Sequence, residues 1–184
     1  MVLEIVKYGH PALRKKGAAV KEVDDKLRQL AIDMLETMDA ANGVGLAAQQ
    51  VGVPIQLAVI DVDDDEDRPS TMLIDGAPVN LEEHMPLILL NPELELGEEK
   101  EPGTEGCLSF PEITAEIIRS HHVRVRAHSI DGDELVFEAT GLLARALQHE
   151  FDHLQGVLFI DRMNSAVRTT LAGKLKRLQR ESKA

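Results

Sequence analysis

The order of elements legible in the chain predicts an α+β fold, with antiparallel or mixed β-sheets packed around a central helix and further helices near the N-terminus and at the C-terminus. Three observations carry this. Strand-like runs outnumber helix-like runs and follow one another instead of alternating with helices. The stretch 141–155, GLLARALQHEFDHLQ, has helical periodicity and is apolar nearly all round, so it belongs inside. Amphipathic helical patterns at 24–40 and 165–180 bracket the strands.

In the first helix, Leu27, Leu30, Ala31, Met34, Leu35 and Met38 recur at three- and four-residue steps, the spacing of one face. Asp24 or Asp25 can cap its start and Asn42-Gly43 can end it. Glycines at 43, 45 and 52 in NGVGLAAQQVGVP then point to close backbone approach or positive φ. A dinucleotide fingerprint does not fit, because a helix stands where a strand should precede it, and a phosphate loop would need Gly-Lys-Ser/Thr. Two readings stay open: a tight turn packed by Ala47 and Ala48, or a strand edge beside a site, with Gln49 or Gln50 offering an amide donor. Residues 55–61 read as a strand. Six acids in 61–67 mark a solvated loop without calcium-loop spacing, and the stretch to Pro86 reads as an insertion or hairpin. Residues 87–91 resume a strand. Val123, Val125 and Ala127 alternate, Asp131-Gly132 marks a turn and ELVFEA returns, which predicts an antiparallel hairpin. In the last helix Val167, Leu171, Leu175 and Leu178 form one apolar stripe, weakened by about 1 kcal/mol at Gly173 relative to alanine.

With 184 residues, the chain is long enough for one domain with a real core and short for two. Aromatics are 3% with no Trp, so aliphatic side chains must fill that core. The net charge of −12 argues against a generic nucleic-acid coat. Charge is uneven, however: residues 165–184 hold Arg168, Lys174, Lys176, Arg177, Arg180 and Lys183 against Glu181 alone. Cys107 is the single cysteine, so no internal disulfide forms and nothing points to an oxidising compartment. No apolar run reaches ~18 residues, which predicts no membrane span. The start, MVLEIVKYGHPALRKK, has neither a secretory nor a transit pattern, and a cytoplasmic location is expected.

The run QHEFDHLQG carries the sharpest chemical signal. His149 and His153 stand one helical turn apart on one side, outside the polar stripe of Arg145, Gln148, Asp152 and Gln155. Buried imidazoles need partners. Two helix-surface histidines with ordinary hydrogen bonds are the plainer alternative, but the intervening Glu150 and the apolar setting favour a divalent metal, with Glu150 as general base. A catalytic site of this kind takes three protein ligands and an open position, and the third could be His, Glu or Cys. Cys107, within EPGTEGCLSFPE, is the foremost candidate. Its alternatives are a small buried hydrophobe or a nucleophile. Glycines 103 and 106 and prolines 102 and 111 suggest that it lies in a loop or at a strand end.

Taken together, GVGLAAQQ at 43–50, EGCLSF at 105–110 and QHEFDHLQG at 148–156 resemble the bacterial-type peptide deformylases, in that family's order, and the resemblance covers most of residues 1–163. It implies removal of the formyl group from the N-terminal methionine of new polypeptides, and one catalytic domain over 1–184 with 165–184 as a basic C-terminal helix. It implies one divalent metal on Cys107, His149 and His153, Fe2+ in the cell, with Zn2+, Ni2+ or Co2+ possible in a purified sample. Glu150 then moves protons, and Gln50 (not Gln49) and the Leu108 N–H stabilise the oxyanion. Gly45 pairs with the substrate backbone, while Val44, Phe110 and Ala146 lie near the methionine pocket. The family often has proline where Gln49 stands, and the segment 62–86 is long for a bacterial member. Glu105 is expected to be buried near the metal loop, paired with Arg119 or Arg124. The expected partners are the formyl-Met nascent chain and, through the basic helix, the ribosome. A zincin-type peptidase would need a His or Glu ligand after the helix, where only Glu181 occurs, and a non-catalytic metal-binding module would not need Glu150.

Overall fold

The computed structural model describes residues 1–183. Helix α1 spans Asp25–Ala40, α2 Gly141–Leu154 and α3 Ser165–Lys183, and nine strands lie between and around them. Strands β1 (Gly45–Ala47), β2 (Leu57–Ile60), β3 (Ser70–Ile74), β4 (Ala77–Pro78), β5 (Leu87–Leu96), β8 (His122–His128) and β9 (Glu134–Thr140) make one seven-stranded sheet in the order β1-β2-β5-β8-β9-β3-β4. Strands β6 (Lys100–Cys107) and β7 (Phe110–Ser120) pair only with each other. Every strand pair is antiparallel, with one isolated parallel bridge, Ala18 to Ile55. The fold is α+β.

Helix α2 is central because it is covered twice. One side packs Leu143, Ala144, Ala146 and Leu147 on Ile60, Leu89, Val123, Val125 and Ala139 of the large sheet. Its other side meets β7. Strand β2 is covered on both faces, Leu57 and Val59 by α1 and Ile60 by α2, so its sequence is a continuous apolar run rather than an alternation. Strand β8 does alternate, with Val123, Val125 and Ala127 buried and Arg124 and Arg126 exposed. A second core lies under α3, where Leu175 and Leu178 pack with Phe110, Ile117 and Phe159.

The segment 62–86 is resolved by the sheet: β3 and β4 form a hairpin around Asp75-Gly76, and β3 pairs with β9. The stretch around Pro102 and Gly103 differs from the loop or strand end suggested by its sequence. It is a full strand, paired from Lys100 with Ser120 to Gly106 with Thr114. Proline is tolerated there because β6 has a neighbour on one side only. Its partner β7 buries Ile113, Ala115 and Ile117 at alternate positions, a period-two signal present in the sequence but diluted by the flanking acids. Helix α2 starts without a side-chain cap of its own; Ser70 Oγ on β3 instead accepts from the Leu143 N–H at 2.9 Å.

Helix α1 has a local cap, as Asp24 Oδ1 accepts from the Leu27 N–H at 2.8 Å. Asp24→Ala is expected to lower stability by about 1 kcal/mol. Urea unfolding at constant m-value measures it, and an unchanged midpoint would mean that solvent satisfies the helix end equally well.

Candidate metal centre and active-site cleft

Helix α2 presents His149 and His153 from successive turns, their ring centroids 5.0 Å apart. Cys107 arrives from the end of β6, where the pairing with β7 shifts register between Gly106 and Cys107. Such an irregularity re-aims a side chain. Cys107 Sγ stands 3.3 Å from His153 Nε2, and one ligand atom from each of Cys107, His149 and His153 lies within 4.8 Å of the others. An ion about 2.3 Å from sulfur and about 2.0–2.1 Å from nitrogen, at tetrahedral angles, separates its ligand atoms by roughly 3.5 Å. The spacing therefore fits a single ion, and one thiolate with two imidazoles suits a borderline-soft divalent metal. Glu181, the sole glutamate after His153, is exposed on α3 and distant in kind from this buried cluster.

Behind the imidazole, His149 Nδ1 is 2.8 Å from Glu105 Oε1, which leaves Nε2 for the cluster. A carboxylate in this place fixes the ring's tautomer and orientation. Glu105 is held in turn. Arg119 donates to both of its oxygens at 2.9 Å, and Arg145 Nη1 to Oε2 at 2.8 Å. Arg119 also donates to Asp152 Oδ2 at 2.6 Å, and Arg162 closes the chain on Asp152. Of the two bases anticipated for Glu105, Arg119 is the partner; Arg124 is exposed on β8. Arg145 was not anticipated in this role. It stands four residues before His149, close to it on the helix surface, but only the structure shows that both reach Glu105. Most of the polar stripe of α2 thus faces the protein interior, with Gln155 at its end partly exposed. Arg145, Gln148 and Asp152 are buried against β6 and β7, with Gln148 bonded to both backbone groups of Ser120.

These surroundings set the ionisation states. Burial pushes the Glu105 carboxyl up, but the His149 and Arg119 hydrogen bonds outweigh it and hold the pKa well below the usual carboxylate range. Burial likewise pulls His149 down, and hydrogen bonds to Cys107 and Glu105 more than reverse this. His153 is held down by burial and by the charge of His149. Glu150 is pushed up to about 7, chiefly by burial. Its Oε2 is buried and has no hydrogen-bond partner among the described residues.

Gln50 and Gln49 separate cleanly. Gln50 Oε1 accepts from the Ala47 N–H at 3.0 Å, which aims Nε2 at Ser109 Oγ (3.2 Å) and Cys107 Sγ (3.6 Å). Gln49 points away, its Nε2 3.4 Å from the Lys15 carbonyl. Strand β1 is the free edge of the large sheet and runs directly into a 3-10 turn, Ala48–Val51, with Ala47 and Ala48 fully buried, so the glycine-rich stretch is both a strand edge and a packed turn. At Gly45 a Cβ would lie 2.7 Å from Glu150 Oε1, so only glycine brings this edge so near the carboxyl. A cleft of about 440 Å³ opens here, lined by Val44, Gly45, Gln50, Cys107, Leu108, Phe110, Ala146, His149 and Glu150 among others. His153 lies behind it. Arg68, from the acidic segment, also reaches the cleft wall and donates to the Thr104 carbonyl at 3.3 Å; nothing in its local sequence indicated this.

A sequence model described as Polypeptide deformylase matches residues 2–169. Among curated relatives, the peptide deformylase of Methylacidiphilum infernorum is 48% identical over 180 residues, covering 98% of this chain and 94% of that protein. That of Opitutus terrae is 44% identical over 186 residues, covering 100% and 96%. Among solved structures, Arabidopsis thaliana peptide deformylase 1B with an inhibitor superposes at a TM-score of 0.83 and 35% identity, covering 97% of this chain and 91% of the other. Thermotoga maritima peptide deformylase gives 0.76 and 39%, covering 89% and 99%.

The raised pKa of Glu150 carries a signed consequence for the metal-free protein. A carboxyl that holds its proton more tightly when folded contributes stability below its unfolded pKa near 4.5, and that contribution is lost as pH rises through about 7. Metal-stripped wild type should therefore lose stability relative to Glu150→Gln between pH 4.5 and 7, by up to about 3 kcal/mol. Denaturant unfolding of both proteins across that range measures the difference. Parallel curves would show that Glu150 titrates alike in both states.

Proposed function

The chain belongs to the polypeptide deformylase family, whose members are hydrolases and metalloenzymes of protein biosynthesis, and from that membership we propose that it removes the N-formyl group from the formyl-methionine of newly made polypeptides, releasing formate. We read residues 1–184 as one catalytic unit. The observation that carries the reaction is the Glu150 carboxyl, buried, unpaired at one oxygen, with a pKa near 7 and next to a Cys–His–His donor set.

Cys107, His149 and His153 would hold a divalent metal, Fe2+ in the cell and Zn2+, Ni2+ or Co2+ in a purified sample, which when bound supplies Lewis acidity and makes water nucleophilic at neutral pH. Glu150 accepts the proton of the attacking water on its carboxylate and returns it to the leaving amine nitrogen. A buried carboxyl with no cation hydrogen-bonded to it, raised by burial in the metal-free protein, is suited to take up and release a proton. Gln50 Nε2 and the Leu108 N–H donate to the formyl oxygen as negative charge develops there. The substrate peptide adds to the free edge at Gly45 as an extra strand, with Val44, Phe110 and Ala146 around the methionine side chain. A formyl carbon bears only hydrogen, so crowding at this point excludes larger acyl groups.

For the whole protein we propose a cytoplasmic location with the nascent chain at the ribosome. No helix among the described residues is long and apolar enough to cross a membrane. Helix α3 supports the docking reading: Leu175 and Leu178 face the core, while Lys174, Lys176, Arg177, Arg180 and Lys183 are exposed on an otherwise acidic protein.

Formate should be released from a formyl-Met peptide and no acetate from its acetyl counterpart. Gln50→Ala should cut kcat by roughly 10²–10³ with little change in KM, because the oxyanion forms only toward the transition state. Gln49→Ala should have little effect, and the reverse ranking would place the donor at the wrong glutamine. Because Leu175 and Leu178 are buried, charge removal tests the docking face better than truncation. The triple change Lys176→Gln, Arg177→Gln, Arg180→Gln should leave turnover of a short formyl peptide intact while weakening ribosome co-sedimentation and flattening its salt dependence. Unchanged binding at low salt would reduce α3 to a packing role.

A further inference from the structure

We propose that Lys7 is a positioning residue for the oxyanion donors, and that the segment Val6–Tyr8 holds both of them in one register. The inference rests on the roles given above to Gln50 and Leu108. These two donors share no secondary structure. Gln50 sits in a short 3-10 turn after β1, whereas Leu108 sits in the tight turn between β6 and β7. The Cys107–Phe110 pair closes that turn, but the register shift between Gly106 and Cys107 separates this pair from the regular part of the ladder.

Residues 6–8 bridge the two. The Val6 N–H donates to the Gln50 carbonyl at 2.8 Å, and the Tyr8 N–H to the Ser109 carbonyl at 3.0 Å. Between them, Lys7 Nζ donates to the Leu108 carbonyl at 3.1 Å. The Tyr8 ring stacks on Phe110 with centroids 4.9 Å apart, which fixes the far side of the same turn. The segment is itself held from behind. The Lys7 carbonyl accepts from Ser182 Oγ on α3 at 3.1 Å. At Gly9, with φ +108°, a Cβ would stand 2.8 Å from the Gln179 carbonyl oxygen, so α3 lies directly on the backbone there.

The physical consequence follows from how an oxyanion hole works. A donor lowers the barrier to the extent that it is aimed before charge develops. The Leu108 N–H lies in the Cys107–Leu108 peptide plane and its carbonyl in the next one, the two joined at the Leu108 Cα, so a bond to the carbonyl restrains the turn that carries the N–H and narrows the range over which it can swing. A charged donor makes the stronger bond to a carbonyl. Lys7 touches neither the candidate metal ligands nor, on this reading, the substrate, so it acts through Leu108. Gln50 is orientated twice over, by Ala47 through its side chain and by Val6 through its backbone. Among the described residues, Lys7 gives the Leu108 backbone its only hydrogen bond from a side chain.

The test compares metal-loaded wild type, Lys7→Met and Lys7→Arg on a formyl-Met peptide. Methionine keeps the length of the stem and removes the bond. Lys7→Met should lose about tenfold in kcat with KM within a factor of about two, less than the roughly 10²–10³ from deleting a donor, because the donor stays but is aimed less well. Lys7→Arg should recover most of the loss. In the metal-free proteins, the Leu108 and Ser109 amide resonances should shift in Lys7→Met, and the Leu108 N–H should exchange faster, while the rest of the spectrum stays in place. Unchanged kcat with unchanged amides would overturn the proposal, and so would a loss of kcat that tracks lost metal or a lower melting temperature, which is a structural effect. Absence of formate release by wild type would instead remove the underlying functional reading, and the proposal with it.

Discussion

The Glu105 carboxylate is the joint on which the rest of the site hangs. It lies on β6, two residues before Cys107, and it meets Arg119 from β7 and Arg145 and His149 from α2. The β6–β7 hairpin and α2, which share no ladder, are thus tied to one pair of oxygens. All of these partners are buried, and a buried carboxylate without its cations is costly: removing one member of such a set typically costs about 3–5 kcal/mol. The network therefore sets the distance between β6 and α2, and with it the distance from Cys107 to the two histidines. Asp152 continues the chain of charges to Arg162, past the end of α2.

The same burial that makes Glu105 dependent on arginines makes Glu150 useful. Both carboxyls are nearly inaccessible and lie on or against α2. Glu105 has cations within hydrogen-bond reach and stays ionised. Glu150 has none, faces the free edge of β1 across Gly45, and holds its proton to about 7. Two like groups are driven apart by what surrounds them, one toward a structural role and the other toward the proton transfer proposed for it.

Packing also joins the two ends of the described chain to the cleft. The N-terminal segment runs along the back of Gln50 and of the 108–109 turn, and α3 lies over that segment. The apolar stripe of α3 is consumed in this packing, so its bases are left on the outer face of a protein whose net charge is −12. One helix thereby serves the core and presents a charged surface without conflict.

Periodicity in the sequence determined the three helices and the β8–β9 hairpin, because each buries one side or is buried throughout, and Asp24 stands where the α1 cap is needed. The H-E-x-x-H spacing determined that His149 and His153 face one way with Glu150 beside them, since helix geometry is local. What the sequence could not determine was everything that joins residues distant along the chain. Cys107 lies 42 residues before His149, and only the β6–β7 hairpin and its register shift bring its sulfur to the imidazoles. The β6 strand itself was obscured by Pro102 and Gly103, which its one-sided pairing tolerates. Arg145 and Asp152 read as a polar stripe, and composition alone gave no sign that the stripe faces buried carboxylates and guanidinium groups instead of water. That Gln50 and not Gln49 turns its amide toward Cys107 was likewise a matter of contacts: the Ala47 N–H holds one side chain there, while its neighbour reaches the Lys15 carbonyl. Local spacing is written in the chain, but which charges are desolvated together is decided only when the sheet, the hairpin and α2 close on one another.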